Sequence, residues 1–311
     1  MIGVGRLRKG GRWVACPMLV TLLLVGSLSC QSSNSGPGKS IVVTYSVLGS
    51  IVKELVGDKA TVTVSIPNGL DPHEWEQSAK RIEAINKADL VVENGLGLEG
   101  SMQKTLQTAR KSGVKFFTAS DYITVRHVGP REGIPSGDPD QAIGAADPHL
   151  WMDPIAMESV VSGLASVLMK DLNLDVSSQA LELESRLVSL NAEIAVTVAA
   201  IPQGDRKLVT GHESMGYFAH RYGFELVGVI ISSLSTQAYV TAKDWAAVKK
   251  AIEDNHVKAI FTELGTSPAV AKAMGAKTVE VVELTTHALP SDRSYFTFLR
   301  NIASVIVDAL K

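Results

Sequence analysis

The sequence predicts an α/β protein built of two (β/α) lobes with parallel sheets, joined by one long rigid helix. Two observations carry this reading. Short β-branched runs alternate with helical segments twice along the chain, over 41–93 and again over 207–310, and strand–helix alternation argues for βαβ units and parallel strands. Between the two series lie two helical stretches with no strand separating them, the second long enough to span both lobes.

The elements follow in order. Arg6, Arg8, Lys9 and Arg12 precede an apolar run over 14–28, which is a charged n-region followed by an h-region. The run falls short of the ~20 apolar residues that a comfortable bilayer crossing needs, so residues 1–29 are expected to be a signal peptide. It closes on Ser27-Leu28-Ser29-Cys30. A cysteine after small residues at this place resembles the lipobox of bacterial lipoproteins, with Cys30 diacylated as the mature N-terminus. The sequence departs from that pattern at Ser27, where leucine is usual, which leaves ordinary cleavage or an uncleaved anchor as alternatives. Two acyl chains would hold the protein on a membrane surface, whereas one would not. Residues 30–40 are rich in Ser, Gly, Asn and Pro and read as a lipidated cysteine with a flexible tether.

The only other cysteine, Cys16, lies in the h-region. The exported chain therefore has no thiols for disulfides or cysteine-based metal sites. A net charge of −2, with no basic patch, gives no reason to expect nucleic acid as a partner.

The first lobe is assigned to 41–172, with strands at 41–45, 61–66 and 90–93 and helices at 50–56 and 79–88. Asp153-Pro154 supplies an N-cap and a first-turn proline for a helix ending near Asp171. A linking segment, 173–203, holds a helix over 177–200 with Leu183, Leu187, Leu190, Ile194, Val198 and Ile201 on one stripe. The second lobe, 204–311, has strands at 207–210, 224–231, 257–262 and 279–284, with helices at 215–222, 241–255, 269–274 and 294–310. The segment 126–146 is rich in Gly, Pro and Asp and is a long loop, a kind that is uncommon unless functional or mobile.

In open α/β sheets, ligand-binding groups gather beyond the carboxyl ends of the strands. His73 follows strand 61–66 through a turn-rich segment, and His212 follows strand 207–210 by a single glycine. His287 comes three residues after strand 279–284, and His149 stands between the long loop and a capped helix. A lone histidine in a loop is more often a hydrogen-bonded surface residue, and only tertiary structure decides whether these four converge. His127, His220 and His256 read as solvated or capping residues, with His127 placed to help recruit metal.

Four segments make the pattern specific. They are Asp71-Pro72-His73-Glu74-Trp75-Glu76, the run from Ala88 through Asn94-Gly95-Leu96-Gly97 to Glu99, Asp147-Pro148-His149-Leu150-Trp151-Met152-Asp153-Pro154, and His212 five residues before Tyr217-Phe218-Ala219. In order and context they resemble the zinc- and manganese-uptake solute-binding proteins of ABC transporters, from about residue 41 to the end. The resemblance implies a metal site in the cleft between the lobes, with His73, His149 and His212 as ligands. For the fourth ligand, Glu283-Leu284-Thr285-Thr286-His287-Ala288-Leu289 resembles a family segment with His287 in place of an aspartate. A gap-free alignment from the other side brings Glu283 into register instead. Glu263 matches a family acid and is expected to line the cleft or support a ligand.

Imidazole nitrogen suits Zn²⁺, whereas Mn²⁺ prefers carboxylate oxygen, so zinc is expected ahead of manganese. The implied protein is a monomeric, extracytoplasmic carrier, lipid-anchored or periplasmic, that passes its cargo to the membrane permease of an ABC importer. Two rivals come from other classes. A zinc hydrolase would need a positioned base, for which Glu74 and Glu213 are the nearest in sequence, and there is no HExxH helix. A surface adhesin would bind a host component without metal.

Overall fold

A computed structural model describes residues 38–129, 132, 143–231, 242–264, 266, 269, 271–272 and 279–311. The proposed signal peptide, Cys30 and most of the tether lie outside the described residues, as does half of the helix expected at 269–274. Among the described residues no helix is long and apolar enough to cross a membrane.

The first lobe is a four-stranded parallel sheet in the order β2-β1-β3-β4. Strand β1 (Lys39–Val43) starts two residues before the expected 41, and β3 (Leu90–Glu93) is buried along its whole length. Both are inner strands covered on two faces, which is why they read as unbroken aliphatic runs rather than alternating ones. Strand β2 (Ala60–Val64) lies at one edge and β4 (Phe116–Thr118) at the other. Helix α1 (Ser46–Val56) begins four residues earlier than expected. Its Gly49 sits against Val64, so close that a Cβ there would overlap the valine side chain.

Helix α2 (Ala79–Asn86) was legible. Helix α3 (Gln103–Lys111) and strand β4 were not. The helix buries only Leu106 and Ala109, and the strand is three residues long, so neither carries enough apolar periodicity to be seen.

Helix α4 (Pro154–Leu172) is capped by Asp153, whose side chain accepts from the Ile155 N–H, and it stops at left-handed Asn173. Helix α5 (Ser177–Val198) buries Ala180, Leu183, Leu187, Leu190, Ile194 and Val198 on one stripe. Its 22 residues make a rod about 33 Å long. It packs on α4 and α1 of the first lobe and on the last helix of the second.

The second lobe pairs β5 (Lys207–Thr210) with β6 (Glu225–Val229), and β7 (Ala259–Thr262) with β8 (Glu280–Glu283), all parallel, with β5 against β7. Helices α6 (Gly216–Tyr222), α7 (Ala242–Asp254) and α8 (Tyr295–Leu310) belong to it. The larger core cluster runs from Ile41 through the α5 stripe to Leu310, and a second one, with Val209, Val248 and Ile260, lies within the second lobe. The linking helix is thus part of the core of both lobes, which is the physical basis of its rigidity. In each lobe the strands run parallel, so their carboxyl ends and the loops that follow share one edge.

Candidate metal centre

Two of the four histidines are presented by the same local device. In Asp71-Pro72-His73 and in Asp147-Pro148-His149 the aspartate Oδ1 accepts the backbone N–H of the histidine two residues on, at 2.9 Å in both. This side-chain turn reverses the chain and fixes where the histidine leaves it. At the second triplet the aspartate does more. Asp147 Oδ1 also lies 2.9 Å from His149 Nδ1, and Asp147 Oδ2 accepts from Arg126 Nη1 at 2.9 Å. A carboxylate on Nδ1 selects the tautomer that leaves the Nε2 lone pair free.

His212 sits directly beyond β5. Its Nδ1 lies 2.6 Å from Glu263 Oε2, whose other oxygen accepts from Ser214 Oγ at 2.6 Å. His287 follows β8, with Nδ1 2.9 Å from Thr286 Oγ1. The indole of Trp151 donates to the Thr286 carbonyl at 3.0 Å, and its ring lies edge-on to both His149 and His287. Tyr295 Oη donates to the Trp151 carbonyl at 2.8 Å.

The segment 88–99 also finds its purpose. Asn94 Nδ2 donates to the Pro148 carbonyl at 2.8 Å, Tyr45 Oη donates to Asn94 Oδ1 at 3.0 Å, and the Asn94 N–H is accepted by Glu99. Burial pushes the Glu99 carboxyl up to about 7. The left-handed turn at Gly95, Leu96 and Gly97 folds Glu99 back onto Asn94 and so braces the His149 loop from behind.

The four histidines converge. One ligand nitrogen from each of His73, His149, His212 and His287 lies within 4.8 Å of the other three, and all four residues are at most 5 % exposed. Nε2 of His149 and Nε2 of His212 are 3.2 Å apart. A tetrahedral ion with bonds of about 2.0–2.1 Å would hold its nitrogens about 3.3–3.4 Å apart, so this pair already stands at close to ligating separation.

Burial is the largest cause lowering the pKa of His73, His149 and His287, and neighbouring imidazoles lower each further. At His149 the Asp147 carboxylate partly opposes the shift. These rings are therefore neutral at neutral pH and have lone pairs to donate.

Glu283 does not join the cluster. It is exposed at the end of β8, while His287, four residues on, is buried and stands in the cluster. Glu263 stands behind His212 as a supporting carboxylate. His127, His220 and His256 are exposed, and His256 holds a left-handed φ of 51° at the end of α7. Glu74 is exposed as well.

The sequence reading missed the supporting roles of Asp147, Thr286 and Trp151. The repeated Asp-Pro-His triplet was the available signal for Asp147. No local signal existed for Trp151, which acts on a turn 135 residues away. Arg126 was also missed. It joins Asp147 to Glu132 in the long loop, and its backbone N–H is accepted by Tyr217 Oη at 2.9 Å across the lobes. Gly216 admits this approach, because a Cβ there would overlap both Arg126 and Asp147.

Residues 41–309 match the model of the family described as zinc-uptake complex component A, periplasmic, or ZnuA. The chain belongs to the ZnuA family. The manganese-binding lipoprotein MntA of Halalkalibacterium halodurans is 27% identical over 252 residues, covering 79% of this chain and 78% of MntA. The high-affinity zinc uptake system protein ZnuA of Bacillus subtilis is 27% identical over 272 residues, covering 85% and 84%. The periplasmic zinc-binding protein TroA of Treponema pallidum superposes with a TM-score of 0.72 at 24% identity, over 88% of this chain and 99% of that one. That likeness extends to the two-lobed fold. The ZnuA family is one of metal-binding transport components rather than of enzymes.

Proposed function

We propose that this protein is the extracytoplasmic solute-binding component of an ABC importer and captures a divalent transition metal, zinc ahead of manganese, through His73, His149, His212 and His287. The observation that carries the reading is the meeting of four buried imidazoles, two from each lobe, with donor atoms within 4.8 Å of one another. Four nitrogen donors match the tetrahedral, borderline-soft preference of Zn²⁺, whereas Mn²⁺ favours carboxylate and water oxygen. Glu263, the second-lobe carboxylate beside His212, is engaged by His212 and Ser214.

The cargo's charge is met at one remove. Asp147 and Glu263 each back a ligand through its Nδ1, which raises the basicity of the ring and supplies negative charge near the dication. A closed set of four protein ligands is the arrangement of a holding site, whereas a hydrolytic zinc keeps a position for water. Ligands divided between lobes couple metal occupancy to lobe closure, and the buried stripe of α5 restricts that closure to small movements. Delivery follows when the permease contacts both lobes, 41–172 and 204–311, and loosens the site. Cys30 as a lipid anchor and a monomeric state complete the proposal. The lipoprotein named among the relatives supports the anchor.

Titration calorimetry on demetallated protein tests the reading. Zinc is expected to bind at one site and more tightly than manganese. Tighter manganese binding would refute the choice of metal, and the absence of binding by either would refute the function.

A further inference from the structure

With every ligand at most 5 % exposed, the cation needs a way in. Four observations meet at one place. A cavity of about 370 Å³ has His287 and Glu263 in its wall, and Gly69 of the first lobe also lines it. His287 Nδ1 is taken by Thr286, while its Nε2 has no hydrogen-bond partner among the described residues. Thr266 Oγ1, a buried hydroxyl in the same wall, also has no partner among the described residues. Glu283 and Thr285 line the same cavity and, unlike His287, Glu263 and Thr266, are exposed to solvent.

We infer that this cavity is the route by which the cation reaches and leaves the buried histidines, with Glu283 as the attracting carboxylate at its mouth. The inference rests on the metal-binding function proposed above and adds a role for a residue outside the ligand set. Size permits the passage. At about 30 Å³ per water, the cavity takes on the order of ten waters, enough for a cation with its first hydration layer. The lining suits the task as well. Hydroxyls and carboxylates replace water one at a time along the wall, ending at an imidazole with a free nitrogen. A carboxylate at a rim acts on the encounter rate of a cation, and its effect is screened by salt.

The test is stopped-flow mixing of Zn²⁺ with demetallated protein, read by the fluorescence of Trp151, whose ring centroid lies 5.2 Å from that of His149 and 5.5 Å from that of His287. Glu283→Gln is expected to lower the association rate constant about two- to three-fold at low ionic strength, and Glu283→Lys by more, both differences shrinking in salt while dissociation is unchanged. Thr285→Trp, which narrows the mouth, is expected to slow association and dissociation in equal proportion and leave Kd unchanged. Ligand or purely structural roles would not produce that pattern.

Equal association rates for wild type, Glu283→Gln and Glu283→Lys at low salt would overturn the inference, as would wild-type rates in Thr285→Trp. Faster dissociation with unchanged association in Glu283→Gln would overturn it too, by making Glu283 a ligand. These results appear against normal zinc binding by the wild type. A wild type that binds no zinc removes the function itself.

Discussion

The two lobes supply their ligands by different means. His73 and His149 are each the last residue of an Asp-Pro-His triplet, and in each the aspartate accepts the histidine N–H. Their presentation is local, set within three residues of chain. His212 and His287 lack that device. The first is steadied by Glu263, from the loop after β7, and the second by Thr286, whose carbonyl is held by Trp151 of the opposite lobe. The first lobe therefore offers a pair of ligands that its own turns position, while the second relies on contacts distant in sequence, within its own lobe for His212 and across the lobes for His287.

The largest expected effect asks whether the lobes contribute equally to the site. His149→Ala and His212→Ala each remove one of two nitrogens 3.2 Å apart. Each is expected to weaken zinc binding on the order of a thousandfold, or about 4 kcal/mol. Competition titration against a chelator measures both. A loss confined to one lobe's variant would break the symmetry.

The supporting carboxylates sharpen the contrast between local and distant positioning. Asp147→Asn keeps an oxygen to accept the His149 N–H, and Glu263→Gln keeps the shape beside His212; both lose the charge behind the ring and are expected to weaken zinc binding about ten- to a hundredfold. Asp147→Ala also loses the turn, so it should cost clearly more than Asp147→Asn. Glu263 fixes no backbone turn, so Glu263→Ala should cost little more than Glu263→Gln. Equal losses for the two Asp147 variants in the same titration would show that the turn contributes nothing.

The smallest effect is that of pH. Four solvated imidazoles would each lose about tenfold one unit below 6.5, as protons displaced the metal. Burial lowers the pKa of His73, His149 and His287 below that value, so proton competition is pushed to more acid pH. Zinc affinity is expected to fall less between pH 7.5 and 5.5 than four solvated imidazoles would give. The metal-free fold reports the same shifts. A histidine whose folded pKa lies below 6.5 binds fewer protons folded than unfolded, so its contribution to stability is lost as pH falls below 6.5. Glu99, raised to about 7 from 4.5, works in the opposite sense and stabilises the fold on the acid side. Glu184, whose carboxyl pKa is also raised by partial burial, acts in the same sense as Glu99, but the three histidines outnumber this pair and the Tm of the metal-free protein should fall on acidification. A Tm that rises from pH 7.5 to 5.5 would show that the histidines are solvated.

Much of this could be read along the chain. The α5 stripe over Leu183, Leu187, Leu190 and Ile194 lies on one face at helical spacing and is buried as that spacing requires. The aliphatic runs of β1 and β3 announced strands covered on both faces. Helix α3 and strand β4 escaped because one is mostly polar and the other too short to show a period. Asp147 was in plain view within a quoted motif, yet its carboxylate's second bond, to Arg126, required the long loop's base to be brought beside it.

By itself, the order of residues determined the two series of parallel strands, the helix between them, the placing of three histidines in loops after strands and of His149 before a capped helix, and the twin aspartate turns. Each of these depends on neighbours within a few positions, where periodicity and turn chemistry act. Tertiary structure alone decided that the histidines share one point, that His287 rather than Glu283 faces it, and that Glu263 stands behind His212. Those outcomes turn on ångström separations between groups tens of residues apart, and on which way a side chain leaves the end of a strand, quantities that only the packed lobes fix.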